Sequence, residues 1–284
     1  MIGGGLFNCT CSNTTFIGAG CKNEVRSTGG IIVGGDCNLI TNCGINSFIG
    51  GGFANCSCGC CNTISGGYGN GILSGSTHSV IGGGNFNVIL CGATHSVIGG
   101  GCNNCVNSST SVISGGFSNA ANGVYSSISG GFCGCAGLRG QRAYSSKPFA
   151  ALGDAQHGQL IASNITDSGS GLSVLYLDGT GETSPIILPS GKAYFCIINV
   201  GGITDSGSAG AQFVRKVAIK NVGGDTSLIG AVSTIGTDAD TTTGTSVTIT
   251  ANNATDSLTI TVQGDEGLPM RWVATIDYVE IAYA

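Results

Sequence analysis

The chain has 284 residues, a formal net charge of −5, 9% charged and 6% aromatic side chains, and 52 glycines. Ten cations and a pI near 4.9 exclude the clustered positive field of a nucleic-acid binder, a mean hydropathy of +0.31 excludes ordinary disorder, and four prolines exclude collagen. No apolar run approaches the ~20 residues that span a bilayer, and Met1-Ile2-Gly3-Gly4-Gly5 lacks the basic start and apolar stretch of a signal peptide.

Composition changes sharply near residue 136. Residues 1–136 hold 32 glycines, 14 of the 15 cysteines, no proline and four charged side chains (Lys22, Glu24, Arg26, Asp36). The other 148 residues hold 21 charged side chains, all four prolines and Cys196. The expected organisation is a glycine- and cysteine-rich repeat domain over 1–136, a neck or linker over 137–150, and a separate tip domain over 151–284.

One phrase occurs nine times in the first region, starting at Ile2, Ile17, Ile32, Ile49, Ile64, Ile81, Ile98, Ile113 and Ile128, at spacings of 15 or 17 residues. It reads Ile-Gly/Ser/Val-Gly/Ala-Gly-x-x-Asn. The Gly three after the Ile is present in all nine copies. The Asn six after it is present in eight, as Asn8, Asn23, Asn38, Asn55, Asn70, Asn87, Asn104 and Asn119; the ninth copy has Gly134. Such a period predicts a parallel β-solenoid of nine 15–17-residue turns, each with two short strands and two tight corners. Gly and Asn suit corners that need positive φ. Stacking aligns the isoleucines into an internal column and the asparagines into a hydrogen-bonded ladder. At ~4.8 Å per turn the rod would be roughly 43 Å long. The two-residue insertions are expected to bulge at a corner, which preserves side-chain alternation. A single Ile column buries little apolar surface, so lateral partners are expected, first of all a trimer.

This spacing resembles the β-roll heads of bacterial trimeric autotransporter adhesins and, more closely, the glycine-rich repeats of fibre-like proteins from bacteriophages and large DNA viruses. The resemblance implies three parallel chains, each a narrow left-handed roll.

Residues 137–150 carry three cations (Arg139, Arg142 and Lys147) and read as the neck. Beyond them, apolar runs predict strands at 158–164, 172–177, 185–188, 192–200, 211–221, 226–234, 245–251, 257–262 and 270–282, punctuated by Gly, Asp and Asn clusters. No segment has a helical period, and the expected fold is an antiparallel β-sandwich or jelly roll. Gly153-Asp154-Ala155-Gln156, Leu188-Pro189-Ser190-Gly191, Arg271-Trp272-Val273-Ala274 and Val279-Glu280 together resemble a C-terminal domain of phage and prophage tail-fibre proteins. That resemblance implies a β-rich tip ending a trimeric shaft, with Asp154 to Gln156 at the junction, Trp272 in the core and no enzymatic activity.

Candidate chemistry is sparse. The fourteen N-terminal cysteines are read chiefly as small fillers of a narrow interior or of an interchain seam, with disulfides or a metal as alternatives. His78 and His95 recur in Thr-His-Ser-Val-Ile-Gly-Gly-Gly one turn apart and read as a polar corner stack, although a trimer could turn them into metal-binding triangles. Glycan cleavage usually needs two facing carboxylates. Glu24 with Asp36, Asp238 with Asp240, and Asp265 with Glu266 are the available pairs, and they read as solvated turns. Ser190-Gly191-Lys192-Ala193 lacks the elements of a phosphate loop.

The expectation is therefore a virion tail-fibre component, extracellular and not an enzyme, with no catalytic residue, metal or cofactor. It would adhere to a host cell-surface glycan or protein as a homotrimer alongside other virion tail proteins, without nucleic acid or membrane insertion. Loops 201–210, 236–245 and 263–269 are the expected contact regions. The alternatives are a purely structural shaft or decoration protein and a glycan-degrading tailspike. Because the chain begins inside a repeat, residue 1 follows a truncation or the bare solenoid end is the attachment surface.

Overall fold

The computed structural model describes residues 1–168, 171–242, 244–265 and 267–283. Among these, all regular structure is β apart from one 3₁₀ turn at Gly179–Gly181. Two compact units emerge, Met1–Gly137 with Ala143–Leu152, and Leu138–Arg142 with Gly153–Ala284.

The first unit is a nine-turn parallel β-solenoid. Its turns stack in register, Ile on Ile and Asn on Asn, as in Val97↔Val112 and Ile98↔Ile113. One parallel sheet runs from Phe16–Ile17 to Ser127–Gly131, and a second, nine-stranded sheet from Cys9–Thr10 to Cys135–Ala136. A third ladder of single bridges, from Leu6↔Cys21 to Phe117↔Phe132, adds a side that the repeat did not announce. Ile17, Ile32, Ile49, Ile64, Ile81, Ile98, Ile113 and Ile128 are fully buried, while Ile2, on the first turn, is 42% exposed. The interior holds a second apolar column eight residues after each Ile, including Val25, Ile40, Ile72, Ile89 and Val106, all fully buried. Two facing columns bury far more apolar surface per turn than the single column expected from the phrase.

The repeated Gly has a double cause. At all nine positions φ lies between +84° and +105°, and a Cβ would collide with the next turn; at Gly52 it would sit 2.1 Å from the Gly67 carbonyl oxygen. The extra residues of the 17-residue turns fall at one corner, between Leu39–Ile40 and Phe48–Ile49 for example, where Gly44 N–H donates to Thr41 O at 2.9 Å. Both strands of such a turn keep their register.

The second unit is a two-layer antiparallel sandwich. Its larger sheet orders Ala155–Thr166, Met270–Ala282, Lys192–Thr204, Gly210–Val222 and Asp225–Leu228. Ser233–Thr234 and Ala239–Asp240 also pair with Gly210–Val222. The smaller sheet joins Leu172–Val174, Ser257–Gln263, Ile186–Ile187 and Ser246–Asn252. The run 226–234 is not one strand: Gly230, at φ +79°, breaks it. Trp272 is 1% exposed, donates from Nε1 to Thr166 Oγ1 at 3.1 Å, and lies against Gly202, where a Cβ would come within 2.4 Å of the indole. Asp154 and Gln156 are buried; Gln156 Nε2 donates to Glu280 Oε2 at 2.7 Å, and Glu280 is ion-paired with Lys192.

Candidate functional site

The asparagine positions form a continuous ladder inside the solenoid. Each Oδ1 from Asn8 to Asn119 accepts the backbone N–H of the residue at the same position on the next turn, at 2.8–3.1 Å. Asn55 Nδ2 also donates to Gly51 O at 2.9 Å and to Gly67 O at 3.0 Å, tying its own turn to the next. Gly134 ends the ladder because only its N–H is needed there. A second buried ladder runs at another corner through Ser47, Asn62, Ser79, Ser96 and Ser111, with bonds of 3.0–3.3 Å. Those serines precede Phe or Val in the repeat; that constant offset was the signal available for the ladder.

The expectation that cysteines fill the solenoid interior needs correction. No N-terminal cysteine fills the interior: Cys9, Cys11, Cys43, Cys61 and Cys91 are exposed, and the other nine half-buried. Inward positions already belong to Ile and Val, so cysteines at intervening offsets point outward. Cys9, Cys11 and Glu24 come together, their ligand atoms all within 4.8 Å. His78 and His95 stack with centroids 5.1 Å apart at an exposed corner, both at φ +55°.

Of the carboxylates weighed for glycan cleavage and read as solvated turns, Glu24 and Asp238 are each held by an arginine. Arg26 chelates Glu24 at 2.7 and 2.8 Å and holds its carboxyl below the usual range. Asp36 accepts from Cys37 Sγ at 3.2 Å. Arg215 chelates Asp238 at 2.6 and 2.8 Å and depresses its pKa in the same way. Partial burial pushes the neighbouring Asp240 up, but hydrogen bonds from the Thr242 and Thr245 hydroxyls and the Thr242 N–H outweigh it, and the carboxyl sits low. Asp265 is buried, and Glu266 lies outside the described residues.

What the sandwich does assemble is a polar rim. The hairpin after Lys192–Thr204 meets two other loops: Asp205 N–H donates to Pro269 O at 3.1 Å, and Gly210 exchanges hydrogen bonds with Thr241 at 3.0 Å. Segments 201–210, 236–245 and 263–269 thus come to one end of the larger sheet, of which Thr243 and Glu266 lie outside the described residues. On this rim Arg271 pairs with Asp205 at 2.9 Å, Ser206 and Ser208 share a 2.6 Å hydrogen bond, and Thr242 and Thr245 one of 2.7 Å. Arg215 stacks its guanidinium 5.3 Å above the Phe213 ring while holding Asp238. Charge-fixed carboxylates and clustered hydroxyls offer acceptors and donors at short spacing, which suits a polyhydroxylated ligand. A separate cavity of about 250 Å³ lies beside the smaller sheet, with Tyr176, Glu182, Asn252 and Thr255 in its wall, and Asn164 Nδ2 donates to Glu182 at 2.9 Å.

No helix among the described residues is long and apolar enough to cross a membrane. No protein-family model and no curated protein matches the chain. Solved structures that overlap with it include three phage tailspikes. The tailspike gp49 of Acinetobacter baumannii bacteriophage Fri1, described as a capsular polysaccharide depolymerase, is 9% identical at a TM-score of 0.29, covering 95% of this chain and 70% of that one. The tailspike of Acinetobacter baumannii phage AM24 is 10% identical at 0.27, and that of Acinetobacter phage vB_ApiP_P1 11% identical at 0.25. The chain spans 57% and 56% of those two lengths.

The expectation that the chain is not an enzyme is corrected by the first of these neighbours, a depolymerase, and is withdrawn. It rested on the tail-fibre resemblance and on reading the available carboxylates as solvated turns, whereas catalytic pairs are assembled in space and can be completed by a second subunit.

Proposed function

We propose that the chain is a phage tail receptor-binding protein, a homotrimeric fibre or spike segment whose C-terminal unit engages host surface polysaccharide. The convergence of three hydroxyl- and carboxylate-bearing loops on one end of the sandwich carries this reading. Trimerisation is supported by an outward rank on the solenoid. Phe16, Ile31, Val80, Val97 and Val112, one per turn, are 36–38% exposed on the strand face opposite the buried isoleucines. A parallel copy laid along this rank would remove it from water, and three equivalent rims would then raise avidity.

The test uses purified full-length protein on a panel of immobilised bacterial capsular and lipopolysaccharide glycans, with a solution mass measured in parallel. The expected results are a mass near three times 28.1 kDa and retention on a subset of glycans, reduced by Asp205→Ala and Arg271→Ala. A monomer, or retention that the rim variants leave unchanged, overturns the reading. Reducing ends released from a retained glycan would identify the depolymerase form of the same function.

A further inference from the structure

We propose that Cys9, Cys11 and Glu24 form a binding site for one thiophilic divalent cation of the Zn²⁺ class. Cys9 and Cys11 flank the inward Thr10, so strand alternation throws both thiols onto the outer face, with Sγ atoms 3.4 Å apart. Parallel register sets Glu24 directly opposite Cys9 on the next turn. All three ligand atoms lie within 4.8 Å of one another. Tetrahedral zinc, with bonds of ~2.3 Å to sulfur and ~2.0 Å to oxygen, needs donor separations of about 3.5–3.8 Å. Rotamer adjustment of the exposed Cys9 and Cys11 thiols toward the half-buried Glu24 covers that difference.

The chemistry of the donors selects the ion. Two thiolates favour a soft or borderline cation over magnesium or calcium. Binding forms two metal–sulfur bonds and one metal–oxygen bond, releases two thiol protons to solvent, and leaves the fourth position to water. Two thiolates and a carboxylate around a dication carry one net negative charge, which Arg26 neutralises from its place on Glu24. The carboxylate oxygens keep lone pairs beyond the two that Arg26 uses.

The solenoid contains its own control. Cys56 and Cys58 repeat the same geometry, Sγ to Sγ 3.4 Å, on the same sheet face. Their register neighbours at Cys56 are Leu39 and Gly71, so that thiol pair lacks the in-register carboxylate.

The experiment titrates reduced, full-length protein with Co²⁺ alone under anaerobic conditions, follows the thiolate-to-metal absorption, and then displaces Co²⁺ with Zn²⁺. One equivalent per chain is expected to bind ahead of the rest. It should disappear in Cys9→Ser/Cys11→Ser, weaken about tenfold or more in Glu24→Gln, and persist in Cys56→Ser/Cys58→Ser. Equal affinity in wild type and Glu24→Gln overturns the site, as does its loss in the Cys56/Cys58 variant or an absence of bound Co²⁺. Should the Cys9/Cys11 variant fail to fold, Glu24→Gln against the Cys56/Cys58 variant still decides.

Discussion

Asn87 Oδ1 accepts the Asn104 N–H at 3.0 Å and the Asn104 Nδ2 at 3.0 Å, so one oxygen holds both the backbone and the side chain of the next turn. Asn87 Nδ2 in turn donates to Gly83 O and Gly101 O at 3.0 and 2.9 Å. Replacing Asn87 with Ala would leave the buried Asn104 N–H without its acceptor and remove four further hydrogen bonds. The expected loss is about 3 kcal/mol of stability, read by denaturant unfolding. Asn87→Asp should also destabilise, because a carboxylate cannot donate to the two carbonyls.

Ser57 occupies the second inward column between Ile40 and Ile72, and its buried hydroxyl has no hydrogen-bond partner among the described residues. Ser57→Ala should stabilise by about 1 kcal/mol, seen as a higher denaturation midpoint at unchanged slope. A lower midpoint would show that the hydroxyl is satisfied in solution.

Ala54 sits at a corner with φ +55°, a left-handed conformation that costs an L side chain roughly 1–2 kcal/mol. Ala54→Gly relieves that strain but adds chain entropy to the unfolded state, for an expected net gain of about 0.5 kcal/mol. Thermal unfolding of the pair of proteins checks the sign.

Arg215 holds the Asp238 carboxyl below its ordinary value. The resulting stabilisation is complete above the unfolded value of about 3.9 and is lost as pH falls through the lower folded value. The stability difference between wild type and Asp238→Asn should therefore be constant from about pH 5 to 7 and close below about pH 4. A difference that persists at lower pH would assign the effect to packing.

Burial pushes the Cys196 thiol up to about 12, and only 2% of the residue is exposed. Native labelling with a thiol reagent should modify exposed residues such as Cys43 and Cys91 while Cys196 stays unreacted until unfolding. Peptide mass mapping before and after denaturation distinguishes the two.

The nine-turn solenoid and the all-β class were legible in the sequence because both are periodic. A Gly that a Cβ would drive into the next turn, and an Asn that spans two turns, must recur at one offset in every repeat, and the chain writes that offset out from Ile2 to Ile128. The second apolar column was equally periodic, at Val25, Ile40, Ile72, Ile89 and Val106, but Ser57 and the alanines at 121 and 136 dilute its signature. Alternation likewise exposed most strands of the sandwich; the turn at Gly230 divided one of them, 172–177 is regular only over Leu172–Val174, and the short strand Ala239–Asp240 fell within an expected loop.

Contacts between segments remote in the chain belong to the tertiary structure alone. Asp205 reaches Pro269 and Gly210 reaches Thr241 because antiparallel pairing returns the strands to one end of the sheet; no local spacing encodes those distances. Glu24 faces Cys9 because fifteen residues make one turn, and the outward direction of the cysteines follows from which neighbours fill the interior. Periodicity is a one-dimensional property and survives in a sequence. A site is an agreement among several chain segments in three dimensions, and it exists only once the register of the fold has brought them together.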